Sequence, residues 1–159
     1  VRFDVRGIVQ LAGRQLATHG YPSIVEGIPV HQKCARLHFL GATGWGESGG
    51  RQVVNVILHY ANGQTRYIPL LYGQDLFDWA HDETDEPEKA GAVLAWVGEG
   101  RNSAIANPLR RLFLMTKENP LPNEEIATLD LESPMSNAAP FFIGITVDST
   151  SGGIHVESE

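Results

Sequence analysis

The sequence predicts an all-β fold, an antiparallel β-sandwich of the jelly-roll type, and three observations carry that prediction. First, the stretch Val53 to Leu70 (VVNVILHYANGQTRYIPL) sets two runs rich in Val, Ile, Leu and Tyr around Ala61-Asn62-Gly63. Asn-Gly is the strongest short signal for a hairpin, because both residues tolerate the positive φ angles a tight reversal uses. Second, Val54, Val56, Leu58 and Tyr60 fall on one face and Asn55 and His59 on the other, the period-two pattern of a half-buried strand. Third, runs of this kind recur along the chain with turn residues between them, and no segment holds a 3.6-residue apolar period long enough for a major helix.

Taken in order, strands are expected at 3–11, 23–30, 33–42, 52–60, 64–71, 92–97, 110–116, 125–131 and 141–147. Ala35, Leu37 and Phe39 share a face in the third, with Cys34, Arg36, His38 and Leu40 on the other. Leu112 and Leu114 share a face in the seventh, and Phe141, Ile143, Ile145 and Val147 in the last. Short helical turns are expected around 14–18 and 75–80. The glycine-rich stretch 41–50 around Trp45, the acidic stretch 81–88 and the small, polar stretch 98–108 read as long loops. Nine strands at this spacing make two packed sheets. The expected organisation is one module over 1–148, followed by a linker-like Ser/Gly tail at 149–159 in which Ile154 and Val156 could add a short strand.

A chain of 159 residues supports one domain with a real core. Its apolar runs break off well short of a membrane span, so direct insertion is not expected. The opening Val and the lack of a signal-peptide pattern suggest a piece excised from a larger protein. A formal charge of −7 argues against a nucleic-acid partner, which would call for a basic stripe. One cysteine, Cys34, rules out an internal disulfide and a multi-cysteine zinc site, and a buried structural thiol is the expectation for it.

Several patterns could carry chemistry. Gly46-Glu47-Ser48-Gly49-Gly50 matches the nucleophile-elbow spacing of serine hydrolases, but a strand rather than a helix follows it, so a glycine-rich loop is the better reading. Asp75, Asp78, Asp82, Glu83, Asp85, Glu86 and Glu88 could offer hard oxygen ligands, and a structural calcium is possible; without EF-hand spacing, a solvated acidic loop is favoured. His31, His38 and His59 could converge on a metal if their strands pair, although no third ligand suggests itself. No catalytic residue and no other cofactor is expected.

The segment order is also familiar. FDVRGIVQLAG, VEGIPVHQKCARLHFLGATGW, HYANGQTRYIPLLYGQDLFDW, the Glu-Asn-Pro within 117–120 and the closing APFFIGIT together resemble galactose-binding-domain-like jelly rolls. These are accessory modules of large secreted or envelope proteins in planctomycetes and related bacteria. The resemblance covers nearly all of 3–146 and implies a β-sandwich, carbohydrate binding and an extracytoplasmic setting. The chain departs from that pattern at His31, where glycine is common, at Ala80, where a second aromatic is common, and at Lys117, where tryptophan is common.

The function expected from these readings is non-catalytic recognition with carbohydrate as ligand. Pyranose rings present C–H-rich faces that stack on aromatic planes, which makes Trp45 and Trp79 the leading contacts; Trp96 is expected in the core. Asp75, Asp78 and Arg101 are expected to bind hydroxyls, and Asn102, Arg110 and Arg111 could add polar contacts at the same end. The alternative is a structural or protein-interaction module that positions neighbouring domains, a reading favoured by the absent aromatics at 80 and 117.

Overall fold

Alternating apolar side chains close into two antiparallel sheets packed face to face. The computed structural model describes residues 1–80, 85–99 and 109–149. Its strands are β1 (Val9–Gln10), β2 (Ile24–Gln32), β3 (Cys34–Gly44), β4 (Gln52–Tyr60), β5 (Thr65–Leu71), β6 (Val93–Glu99), β7 (Leu109–Glu118), β8 (Ile126–Glu132) and β9 (Ala139–Ser149). One sheet runs β1-β9-β3-β7-β6 and the other β2-β8-β4-β5. This order is consistent with a jelly roll that carries β6 as an additional edge strand.

The inward faces interdigitate as expected. Val54, Val56, Leu58 and Tyr60 of β4 are buried against Phe39, Phe113, Met115 and Phe142 of the opposite sheet and Leu129 and Leu131 of their own. The hairpin between β4 and β5 turns through a three-residue loop, in which Gly63 (φ 86°) supplies the left-handed position. Asn62 contributes through its side chain instead, its Oδ1 accepting the Gln64 N–H at 3.0 Å.

Several expectations are corrected by the strand pairing. The first strand shrinks to Val9–Gln10, because only these residues pair with β9. Phe3, well before it, lies over Gly144, where a Cβ would fall 2.7 Å from Phe3 Cδ1. Cys34 shares the core face with Leu37 and Phe39 rather than the opposite face, because the register against β9 shifts between Cys34 and Leu37. In β7 the core face belongs to Arg111, Phe113 and Met115, which leaves Leu112 and Leu114 half-buried on the other side. The glycine-rich loop starts later than expected, since β3 continues through Gly44 with partners on β9. A 3-10 turn does form at Arg14–Leu16, but 75–80 is not helical. Its backbone is committed elsewhere: Thr43 N–H donates to Phe77 O, Trp79 N–H to Thr43 O and Arg111 N–H to Trp79 O. The segment is thereby inserted between the diverging ends of β3 and β7. The possible tail strand at Ile154 and Val156 lies outside the described residues.

The Glu-Asn-Pro motif has a structural role. Asn119 is buried; its Oδ1 accepts from the Tyr60 hydroxyl at 2.5 Å and from the Leu121 N–H at 3.1 Å, and its Nδ2 donates to Cys34 O at 2.8 Å. One side chain thus ties β3, β4 and the turn after β7 together. Asn119→Ala leaves three buried or half-buried polar groups without their partner. We expect it to cost about 2–3 kcal/mol in urea unfolding, with the far-ultraviolet spectrum unchanged.

Candidate ligand-binding site

The inserted segment 77–80 brings Trp79 beside Phe141, ring centroids 6.0 Å apart at 89°. Phe141, itself buried, pairs with Ala42 on β3 and with Gln10 on β1, its side chain on the face of the five-stranded sheet opposite to that of its neighbour Phe142. Arg110 of β7 stacks its guanidinium on Trp79, 4.8 Å from the ring centroid. Trp45, in the loop just after β3, completes the arrangement. Ile8, Gln10, Leu16, Gly44, Trp45, Trp79 and Phe141 line a groove of about 270 Å³. Both tryptophans are exposed, Trp45 by 44% and Trp79 by 42%. These values lie well above those of core aromatics such as Phe39 (0%) and Phe142 (1%), so both rings are presented.

Trp45 is held there against local preference. Its φ of 62° lies in the left-handed region, which is uncommon for a bulky side chain. Flanking hydrogen bonds fix it: Thr43 Oγ1 donates to Trp45 O at 2.9 Å, and Asn137 Nδ2 donates to Gly46 O at 2.9 Å. Glu47 locks the same loop, accepting from the N–H groups of Ser48 (2.9 Å) and Asn137 (2.7 Å). Those two backbone donors, Ser48 first, hold the Glu47 carboxyl below the usual carboxylate range.

The polar residues expected at the site go elsewhere. Asp75 accepts the Leu71 N–H at 2.7 Å and pairs with Lys117 Nζ at 2.6 Å, so it closes a turn rather than facing the groove. Asp78 accepts the Ala80 N–H at 3.0 Å; burial pushes its carboxyl up, and it does not line the groove. Arg101 and Asn102 lie outside the described residues. Arg111 is 3% exposed; its forked guanidinium pairs with Asp85, with Nη1 to Oδ1 at 2.6 Å, and lies against the rings of Phe77 and Phe113. Trp96 is corrected: it is 50% exposed, because β6 is an edge strand and Trp96 pairs with Leu112 on the outer face. Phe141, Gln10 and Ile8 escaped the sequence reading, since only the crossing of β1, β9 and the inserted segment makes them neighbours of the tryptophans.

The histidines do not converge. His38 sits on the five-stranded sheet, with Nδ1 2.8 Å from Thr116 Oγ1 and Nε2 3.0 Å from Asp148 Oδ1, the latter an ion-pair approach without hydrogen-bond alignment. His59 belongs to the four-stranded sheet and meets Asp130 Oδ2 at 2.7 Å. His31 occupies a left-handed position (φ 51°) near the end of β2, a backbone geometry in which glycine is at ease. Among the described residues, no group of three or more His, Cys, Asp or Glu side chains could hold a metal ion. Asp85 is paired with Arg111 and Glu86 with Lys89, while Asp82 and Glu83 lie outside the described residues. Ser48 is exposed on a depression lined by Gly46, Glu47, Tyr72, Phe77, Asp85 and Asn137, none of which is a histidine. Its Glu47 neighbour is occupied by backbone donors.

The fold and groove together define an all-β sandwich with an aromatic-lined groove on one sheet. The chain matches no protein-family model, and no curated protein matches it.

Proposed function

We propose that this sandwich is a non-catalytic recognition module whose ligand is carbohydrate, bound in the groove between Trp45 and Trp79. The observation that carries the reading is the convergence of two exposed tryptophans, distant in sequence, on one groove floored by Phe141. Apolar rings with a few polar groups at the margin suit a sugar, whose C–H face stacks while its hydroxyls meet polar groups such as the Gln10 amide. The left-handed backbone at Trp45 supports it too, because strain of this kind persists where the surrounding structure holds a side chain in place for use. The resemblance to galactose-binding-domain-like modules of secreted and envelope proteins favours the same ligand class and an extracytoplasmic setting.

A glycan array followed by calorimetry tests this reading. Binding to at least one polysaccharide is expected, with Trp45→Ala and Trp79→Ala each lowering affinity about tenfold or more while both variants stay folded. Failure of the wild-type chain to bind any polysaccharide sinks the proposal.

A second reading is a protein-interaction module. It is favoured by β6, the edge strand of its sheet among the described residues, whose Val93, Leu94, Trp96 and Val97 are all exposed. Edge strands with such composition invite pairing with another chain.

A further inference from the structure

Trp96 and the groove belong to one surface. A Cβ at Gly98 would fall 2.1 Å from Trp96 Cζ2, so the indole lies directly over the Gly98 backbone, and half of the residue's surface stays open to solvent. Gly98 pairs with Arg110, and Arg110 stacks on Trp79, which meets Phe141 edge-on. The outer face of the five-stranded sheet therefore carries a continuous row: Trp96, Arg110, Trp79, Phe141 and, across the groove, Trp45. It crosses β6, β7, the inserted segment, β3 and β9. At ~4.8 Å between neighbouring strands, those four steps span about 19 Å. That length is far greater than one sugar ring and suits several rings laid end to end.

We infer that the row is an extended subsite array for a neutral oligosaccharide chain, with Trp96 as its outer platform; this rests on the carbohydrate reading of the groove. Neutrality follows from the side chains. Among the described residues the row carries one charged side chain, Arg110, whose guanidinium is stacked on Trp79. Flatness follows from the sheet, so the fitting ligand is an extended, equatorially linked chain rather than a branched or helical one. The extra edge strand β6 thereby has a purpose that the eight jelly-roll strands alone do not serve.

Calorimetry with linear β-(1→4)-linked gluco-, manno- and xylo-oligosaccharides, from disaccharide to hexasaccharide, tests the inference on the whole chain. Affinity is expected to rise with length, and Trp96→Ala to lower hexasaccharide affinity about tenfold while leaving disaccharide affinity unchanged. Gly98→Ala, whose methyl group displaces the ring without removing it, should act in the same direction. Equal affinity for short and long oligomers, or indifference of the hexasaccharide to both variants, overturns the array but leaves the groove proposal standing. Absence of binding to all three series overturns the array, and absence of binding across the glycan array overturns the groove proposal as well. Light scattering that shows a dimer dissolved by Trp96→Ala would instead assign β6 to pairing between two copies, and also overturns the array.

Discussion

Arg111→Ala is expected to destabilise the protein by about 3–5 kcal/mol, the usual cost of removing one partner of a buried ion pair. Arg111 is 3% exposed and sits on the core face of β7, a position where the alternation calls for an apolar residue. Its forked contact with Asp85 and the Nε–H donated to Asp78 O at 2.9 Å engage the guanidinium, which also lies against the rings of Phe77 and Phe113. Alanine removes all of this at once: a carboxylate loses its counter-charge, a carbonyl loses its donor, and a cavity opens beside two aromatic rings. Against a total of ~5–15 kcal/mol for a domain, the loss should move the urea midpoint by a large fraction. Asp85→Asn should cost less, because a neutral amide can still accept from the guanidinium. Added salt should change the wild-type midpoint little, as a pair this enclosed is poorly screened. A loss below about 1 kcal/mol would mean that the pair is solvated in practice and that Asp85 does not anchor the segment before β6.

That arginine also marks where sequence reasoning stops. Period-two alternation located strands such as β4, because a sheet with one buried face imposes its pattern residue by residue, as in Val54, Val56, Leu58 and Tyr60. It failed where the register shifts. Cys34 changes face through an irregularity that costs the sequence no distinctive residue. Trp96 looked like core because β6 is apolar throughout, and nothing in VLAWVGE says that the strand lies at an edge. The two tryptophans of the groove were readable as candidates from composition alone. Their meeting was not, since it depends on segment 77–80 threading between β3 and β7 by three backbone hydrogen bonds that any residues could make. Asp75 and Asp78 lie close to Trp79 in the chain, yet short polar side chains beside turns tend to bond to nearby backbone, and both do.

Gly41→Ala is expected to be nearly as damaging, at about 3 kcal/mol or more, although it adds a single methyl group. The residue stands in the middle of β3, paired with Phe113 on one side and Phe142 on the other. On the β9 side, Leu40 pairs with Gly144 and Gly41 with Phe142, so Ile143 is the extra residue of a bulge. The bulge draws β9 inward, and a Cβ at Gly41 would lie 2.1 Å from Phe141 O. That atom is backbone within a central strand and cannot turn aside as a side-chain tip would. Relief requires β9 to slide back into regular register, which would move Phe142 from the core face and shift Phe141, the floor of the groove. The expected result is therefore twofold: a lower unfolding midpoint and, in whatever fraction stays folded, a weaker ligand site. Gly49→Ala is the matched control, because a Cβ there meets nothing within 4 Å and should change stability by less than ~0.5 kcal/mol. Equal behaviour of the two variants would mean that the bulge is not a fixed feature of β9, and the placement of Phe141 beneath Trp79 would fall with it.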